Sequence, residues 1–182
     1  LQMEGTPSFK GGIQCLRGLC EQLKVPIVLK ETGCGFSRST LKKLEDIPLA
    51  AVDISGLGGT HWGRIEGGRS KKDSYQYEAA KSFASWGIST VESLRAANDL
   101  SLKSEVWASG GIRNGLDAAK CLHLGAQRVG LAQPILKSAL EGVESVLKKM
   151  ELFEKELIIA MFCTGSRDIE MLRREELVKW KK

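Results

Sequence analysis

Apolar residues recur along this chain in two alternating patterns. Phe9, Ile13, Leu16, Leu19 and Cys20 fall three and four residues apart, the spacing of one helical face, and Pro26 blocks continuation of that helix. Short β-rich runs then alternate with helical stretches, and Pro26–Lys30, Leu49–Ser55, Glu105–Ser109 and Arg128–Ala132 are the expected strands. Ser37 to Ile47 is a helix between the first two. Another starts at Ser89, whose hydroxyl and Glu92 three residues on fit a capping box ahead of Val91, Leu94 and Ala97. Asn114 to Leu124 is the next, closed by Gly125 as a left-handed C′ residue. Residues 135–162 read as one long helix with Leu136, Leu140, Val143, Leu147, Met150, Phe153 and Leu157 on one face. Gly165 ends it, and Ser166 caps a last short helix running to about Leu177. Strands separated by helices mean a parallel sheet, and no repeat of 20 to 50 residues shows beyond that alternation.

Residues 56–75 break the regularity with six glycines followed by the polar run Arg69-Ser70-Lys71-Lys72-Asp73. They read as a long loop after a strand's C-terminal end, where α/β enzymes place active-site covers. Four strand–helix units are half of what a (β/α)8 barrel needs, and an unclosed half leaves two parallel edges bare. The fold expected is therefore α/β, a (β/α)8 TIM barrel of which this chain supplies roughly the C-terminal four β/α units. Residues 1–182 form the C-terminal half of a single barrel domain, with a helical extension over about 135–182. The N-terminal half is then missing, or a second copy of the chain takes its place. A start at Leu1 fits a fragment of a longer protein.

With 182 residues the chain can bury a core as one domain. Its net charge of +5 divides as 13 − 11 = +2 over residues 1–100 and 14 − 11 = +3 over 101–182, so no basic tail points to nucleic acid. The cysteines are five in number, widely spaced and free of zinc-ligand patterns, which fits a reducing cytoplasm. No apolar stretch reaches the roughly 18 to 20 residues of a membrane span, and Leu1-Gln2-Met3-Glu4 lacks signal-peptide character.

The chemistry concentrates at strand ends. Residues 108–134 scan as strand, glycine turn, helix, strand and second turn. Two such loops after consecutive strands can aim backbone N–H groups and a helix N-terminus at one anion, as after strands 7 and 8 of a TIM barrel. Lys30 ends the first strand at the rim. It could be a Schiff-base amine, a substrate anchor, a cation beside a cofactor ring, or an ion-pair partner of Glu31 or Asp53. Ser55 and Thr60, flanking Gly56-Leu57-Gly58-Gly59, suit phosphate or ribityl oxygens, or bond locally within the turn. His61 stands next to them as an acid/base candidate or a solvated, unpartnered side chain, whereas His123 lies late in a helix opposite any site. Asp53 reads as a buried, paired structural carboxylate. Arg64, Arg69, Lys71 and Lys72 attract an anion or simply solvate the loop. Trp62, Trp86 and Trp107 stack on a flat ring or fill space between strands and helices.

An ordered set of segments carries more than any one of them. It runs Leu29-Lys30-Glu31-Thr32-Gly33-x-Gly35-x-Ser37, Val52-Asp53-Ile54-Ser55-Gly56-x-Gly58-Gly59-Thr60, Trp86-Gly87-Ile88-x-Thr90, Ala108-Ser109-Gly110-Gly111-Ile112-Arg113-x-Gly115-Leu116-Asp117 and Ala160-Met161-Phe162-x-Thr164-Gly165. With Gln2-x-Glu4-Gly5 and Phe9-x-Gly11 ahead of it, this series resembles type 2 isopentenyl-diphosphate delta-isomerase over nearly the whole chain. The resemblance implies an FMN-dependent TIM barrel of the cytoplasm that interconverts isopentenyl and dimethylallyl diphosphate with Mg2+ and a reduced flavin, commonly reduced by NADPH, in a homo-oligomer. By the same resemblance Lys30 contacts the flavin ring, Ser55 and Thr60 supply hydroxyls to the flavin, and Gly111, Ile112 and Arg113 with Ala132 and Gln133 hold its phosphate. No side chain is assigned as catalytic, because the family leaves proton transfer to the reduced flavin. The family's substrate-binding glutamine and Mg2+-binding glutamate fall before Leu1, so no metal ligand is assigned, and neither Gln2 nor Glu4 replaces them. His61 and Gln133 depart from the family's usual residues. The chain alone is then an incomplete catalytic unit. Two other readings stand beside this one: another FMN-dependent TIM-barrel oxidoreductase, or an inactive half-barrel that binds FMN or phosphate. Against a 2-hydroxy-acid oxidase, Gly58-Gly59-Thr60 has no histidine before it and no arginine after it.

Overall fold

A computed structural model describes residues 8–176. Helix α1 (Gly12–Gln22) precedes strand β1 (Val28–Lys30), and α2 (Arg38–Lys42) leads to β2 (Ala51–Asp53). Three helices follow, α3 (Trp62–Arg69), α4 (Tyr75–Ser82) and α5 (Thr90–Asn98), before β3 (Glu105–Ala108). Then come α6 (Gly115–His123), β4 (Arg128–Val129), α7 (Gln133–Glu141), α8 (Val143–Cys163) and α9 (Ile169–Arg174). The four strands lie parallel in the order β1-β2-β3-β4, as consecutive units of a (β/α)8 barrel do.

Strand alternation sorts the sheet into two faces. Leu29, Val52, Ile54, Val106, Ala108 and Val129 pack with Leu41, Leu44, Ile47, Leu94, Ala97, Ala118 and Cys121 in one core between sheet and helices. Leu41, Leu44, Ile47 and Ile54 are fully enclosed there, each contributing roughly 1.5–3 kcal/mol of burial. Lys30 pairs in register with Asp53, Asp53 with Trp107 and Trp107 with Arg128, so these polar side chains share the opposite, inner face. Glu105 joins them: Trp107 Nε1 donates to its carboxylate at 2.6 Å and Arg128 Nε at 3.0 Å, which lower its pKa.

Four expectations need correction. Residues 56–75 are not one long loop, because α3 and the start of α4 occupy them, capped by His61 and Ser74. Gly67 serves close packing: a Cβ there would lie 2.1 Å from the Cβ of Ala80, where α3 and α4 cross. The stretch 135–162 is not one helix. Gly142 at φ +127° breaks it into α7 and α8, and Leu140 and Val143 on either side of the break are exposed while Phe153 is buried. The cap of α9 is Asp168, whose side chain accepts the Met171 N–H, whereas Ser166 bonds Thr164 instead. The strands are also shorter than their apolar runs: β2 ends before Ile54, which stays in the core, while Ser55, Ser109 and Gly130–Ala132 become rim. Gln2, Glu4, Gly5 and the expected helix end at Leu177 lie outside the described residues.

Candidate functional site

The rim encloses a cavity of about 570 Å³ at the C-terminal ends of all four strands. Lys30, Ser55, Thr60, Gly111, Ile112, Arg113, Ala132 and Gln133, eight residues separated by up to a hundred positions, all line it. Trp62, Asp53, Ser109 and Gly130 line it with them.

The end of β1 sets the first wall. Glu31 folds its carboxylate back onto its own turn, where one oxygen accepts the N–H groups of Gly33, Cys34 and Gly35 at 2.7, 2.6 and 3.0 Å. This local capture explains a carboxylate two residues ahead of a glycine turn, and it ties the turn to the rest of the rim through Gly35 N–H to Ser55 O and Ile88 N–H to Cys34 O. Lys30, just before it, sends its amine inward to Asp53 at 3.0 Å and Ser109 Oγ at 3.2 Å. The ion pair with Asp53 and a place in the cavity are thus one arrangement.

The end of β2 sets the floor. Asp53 is buried and takes hydrogen bonds from Ser55 N–H and Ser109 Oγ as well as the Lys30 contact. Ser55 is forced to φ +38°, a left-handed value uncommon for a residue with a Cβ, which turns the chain into the glycines behind it. Gly110 and Gly111, at φ +94° and +81°, press against the backbone of Gly56 and Gly58, and a Cβ on Gly111 would lie 2.6 Å from the Gly58 carbonyl carbon. Only glycine lets these two loops meet. Thr90 Oγ1 donates to Ser109 O and Gly110 O, and the Arg113 guanidinium donates to Gly58 O and Gly111 O. Arg113 therefore clamps the two loops to each other with the donors of its fork.

The last wall is the start of α7. Pro134 sits in its first turn and Ala132 at its N-cap, with no side chain bonding the free amides. The N–H groups of Gly111, Ile112, Ala132 and Gln133 find no acceptor among the described residues, although all four residues face one cavity. Unpaired amides at a helix start carry partial positive charge and suit a phosphate monoester. The glycine cradle and this donor set fit the phosphate end of FMN. Lys30 lines the same space.

His61 differs from its expectation as a solvated, unpartnered side chain. It is buried, its Nδ1 accepts the Arg64 N–H as the cap of α3, and its Nε2 lies 3.1 Å from Trp86 O. With Nδ1 accepting, Nε2 carries the proton and donates to Trp86 O, so His61 is a structural clasp between two rim loops. Cys34 lies 3.9 Å from it, and burial and the Glu31 carboxylate push that thiol up. Arg64 donates to Ala84 O and Arg69 pairs with Glu66, so neither reaches for the cavity. Trp62 lines the cavity, Trp86 meets Phe83 edge to face outside it, and Trp107 lies under Arg128 on the inner sheet face. His123 bonds Leu172 O far from the rim. Asp53 is the buried, paired carboxylate that the sequence led us to expect, whereas Glu31 as a turn clamp, Thr90 and Ser109 are contributors that spacing alone did not single out. The signal for Asp53 and Ser109 was alternation, which puts both on the face of Lys30. Among the described residues no cluster of three or more His, Cys, Asp or Glu could hold a metal ion. No described helix is long and apolar enough to cross a membrane.

Residues 6–179 match the FMN-dependent dehydrogenase family. An isopentenyl-diphosphate delta-isomerase of Legionella pneumophila (strain Paris) is 51% identical over 175 residues, which are 96% of this chain and 51% of that protein. One from Bdellovibrio bacteriovorus is 47% identical over 179 residues, 98% of this chain and 52% of its own. The chain spans about half the length of the curated relatives it matches. Among solved structures, a mandelate oxidase variant superposes with a TM-score of 0.64 at 23% identity over 89% of this chain and 42% of its own. A lactate oxidase of Pediococcus acidilactici gives 0.65 at 19% identity, over 93% and 41%. Those two share the fold.

Proposed function

The chain belongs to the FMN-dependent dehydrogenase family, and on that premise we propose that its cavity holds the FMN of an isopentenyl-diphosphate delta-isomerase. One observation carries the reading. Four unpaired amides, from Gly111, Ile112, Ala132 and Gln133, open on the cavity that Lys30 also lines, a match in charge to a phosphate monoester joined to an anionic ring. The isomerase relatives, at about half identity across almost the whole chain, give the substrate pair: isopentenyl and dimethylallyl diphosphate.

The conversion removes a proton from one carbon and adds one to another, with no net change in electrons. The bound, reduced flavin supplies the proton-transfer chemistry. Gly111–Arg113 and Ala132–Gln133 would hold the phosphate, Ser55 and Thr60 would offer hydroxyls to the flavin, and Lys30 would favour negative charge on its ring. Arg113, tied to Gly58 O and Gly111 O, keeps the cradle closed. NADPH enters this proposal as reductant and Mg2+ as partner of the diphosphate. The described residues hold no cluster of His, Cys, Asp or Glu that could bind Mg2+. Within the same proposal residues 1–182 are the C-terminal half of one barrel, with the helices from about 135 as an extension, in a homo-oligomeric enzyme of the cytoplasm.

The test is an anaerobic assay with FMN, NADPH, Mg2+ and isopentenyl diphosphate. Formation of dimethylallyl diphosphate supports the proposal. In a parallel reaction without NADPH, reduction of the oxidised FMN by a 2-hydroxy acid, with no isomerisation in the first assay, refutes it in favour of an oxidoreductase, and bound FMN without turnover in either reduces the chain to a cofactor-binding half-barrel.

A further inference from the structure

Lys30 does not stand alone on the inner face. Its amine lies 3.0 Å from Asp53 Oδ2 and donates to Ser109 Oγ at 3.2 Å, while Ser109 Oγ donates to Asp53 Oδ1 at 2.7 Å. The Ser55 N–H donates to that same Oδ1 at 3.2 Å. All four residues line the cavity, and Asp53 is only 9% exposed, so its charge is screened by these partners and little by water. A cation beside a flavin ring favours the uptake of two electrons and one proton that gives the anionic reduced form. A carboxylate 3.0 Å from that cation opposes it.

We propose that Asp53 is a positioning residue that fixes the Lys30 amine on the cavity floor and, through its own charge, holds the reduction potential of the bound flavin below the value Lys30 alone would set. This inference rests on the reading of the cavity as an FMN site and goes beyond it, because it gives the Lys30–Asp53–Ser109 network a graded electronic role. Ser109 is the neutral member: it bridges cation and anion and adds no charge. Asn at position 53 keeps the size of the side chain and an oxygen for the Ser55 and Ser109 donors, so Asp53→Asn removes charge with the least change of shape.

The experiment is a reductive titration of the FMN-loaded protein with dithionite against a reference dye, on wild type, Asp53→Asn, Asp53→Ser, Ser109→Ala and Lys30→Met. Both neutral replacements of Asp53 are expected to favour the reduced form at least tenfold, an upward shift of about 30 mV for a two-electron couple. Either one suffices if the other does not fold. Ser109→Ala, with both charges kept, stays within about threefold of wild type, and Lys30→Met shifts the other way. An unchanged or lowered potential in the Asp53 variants, with FMN bound and Lys30→Met behaving as expected, overturns this proposal and leaves the FMN reading standing. Wild-type protein that takes up no FMN overturns both.

Discussion

Replacing Gly111 by alanine probes the junction on which the cradle depends. At φ +81° an alanine costs about 1–2 kcal/mol in backbone strain alone. Its Cβ would stand 2.6 Å from the Gly58 carbonyl carbon and 2.7 Å from the oxygen, and both contacts are backbone, with no flexible side chain to yield. Relief requires the two loops to part, at about 1–3 kcal/mol by analogy with overpacked cores. The same movement stretches the 2.9 Å bond from Arg113 to Gly58 O and swings the Gly111 and Ile112 amides off their common target. The sum, about 2–5 kcal/mol, is a large part of a domain's total stability of about 5–15 kcal/mol. Gly68→Ala is the control, because that glycine lies inside α3 with open space around it, and alanine there stabilises by up to about 1 kcal/mol. The assay is urea unfolding paired with titration of FMN by fluorescence quenching. Gly111→Ala should unfold at lower urea and bind FMN at least about tenfold more weakly, the equivalent of about 1.4 kcal/mol. A Gly111→Ala protein as stable as Gly68→Ala, with unchanged FMN affinity, refutes the close-approach argument.

Glu31→Ala strips the acceptor from three amides at once and is expected to cost about 2–4 kcal/mol, with partial rescue in Glu31→Gln, read from urea midpoints. Cys121 gives a pH dependence. Burial first, and Asp117 second, push its thiol up to about 11 from an ordinary value near 9, so the folded state keeps a proton that the unfolded chain gives up earlier. The sign follows: this contribution is fully present below about pH 9 and is lost as pH rises from there through about 11. Urea midpoints at pH 8 and pH 10 should therefore differ less in Cys121→Ala than in wild type, and an equal difference contradicts the assignment.

The residues show why the barrel units were legible from the sequence and parts of the rim were not. Strands and their helices announce themselves through local periodicity, and Ser37, Ser89 and Asn114 bond at the caps where their side chains suggest they should. The α3–α4 pair was hidden because Gly63, Gly67 and Gly68 lower helix propensity, and what compensates is a tertiary contact with Ala80 that spacing does not reveal. His61 illustrates the same limit. Its burial depends on Trp86 and Cys34, which the fold brings from 25 residues ahead and 27 behind. The break at Gly142 was masked by an apolar pattern that runs on across it, since one glycine at φ +127° redirects the helix axis without disturbing the sequence period. The cavity set itself was readable because each member ends or follows a strand, and strand ends in a parallel sheet share one rim.

Comparing FMN with riboflavin on the same protein tests the central claim most directly. The two differ only in the phosphate, and charge-assisted hydrogen bonds from the amides of Gly111, Ile112, Ala132 and Gln133 would contribute about 1.5–3 kcal/mol each. Two such bonds already predict FMN binding about a hundredfold tighter or more by titration calorimetry. Equal affinity for the two would mean that these amides do not receive the phosphate, and the account of the cavity would fail.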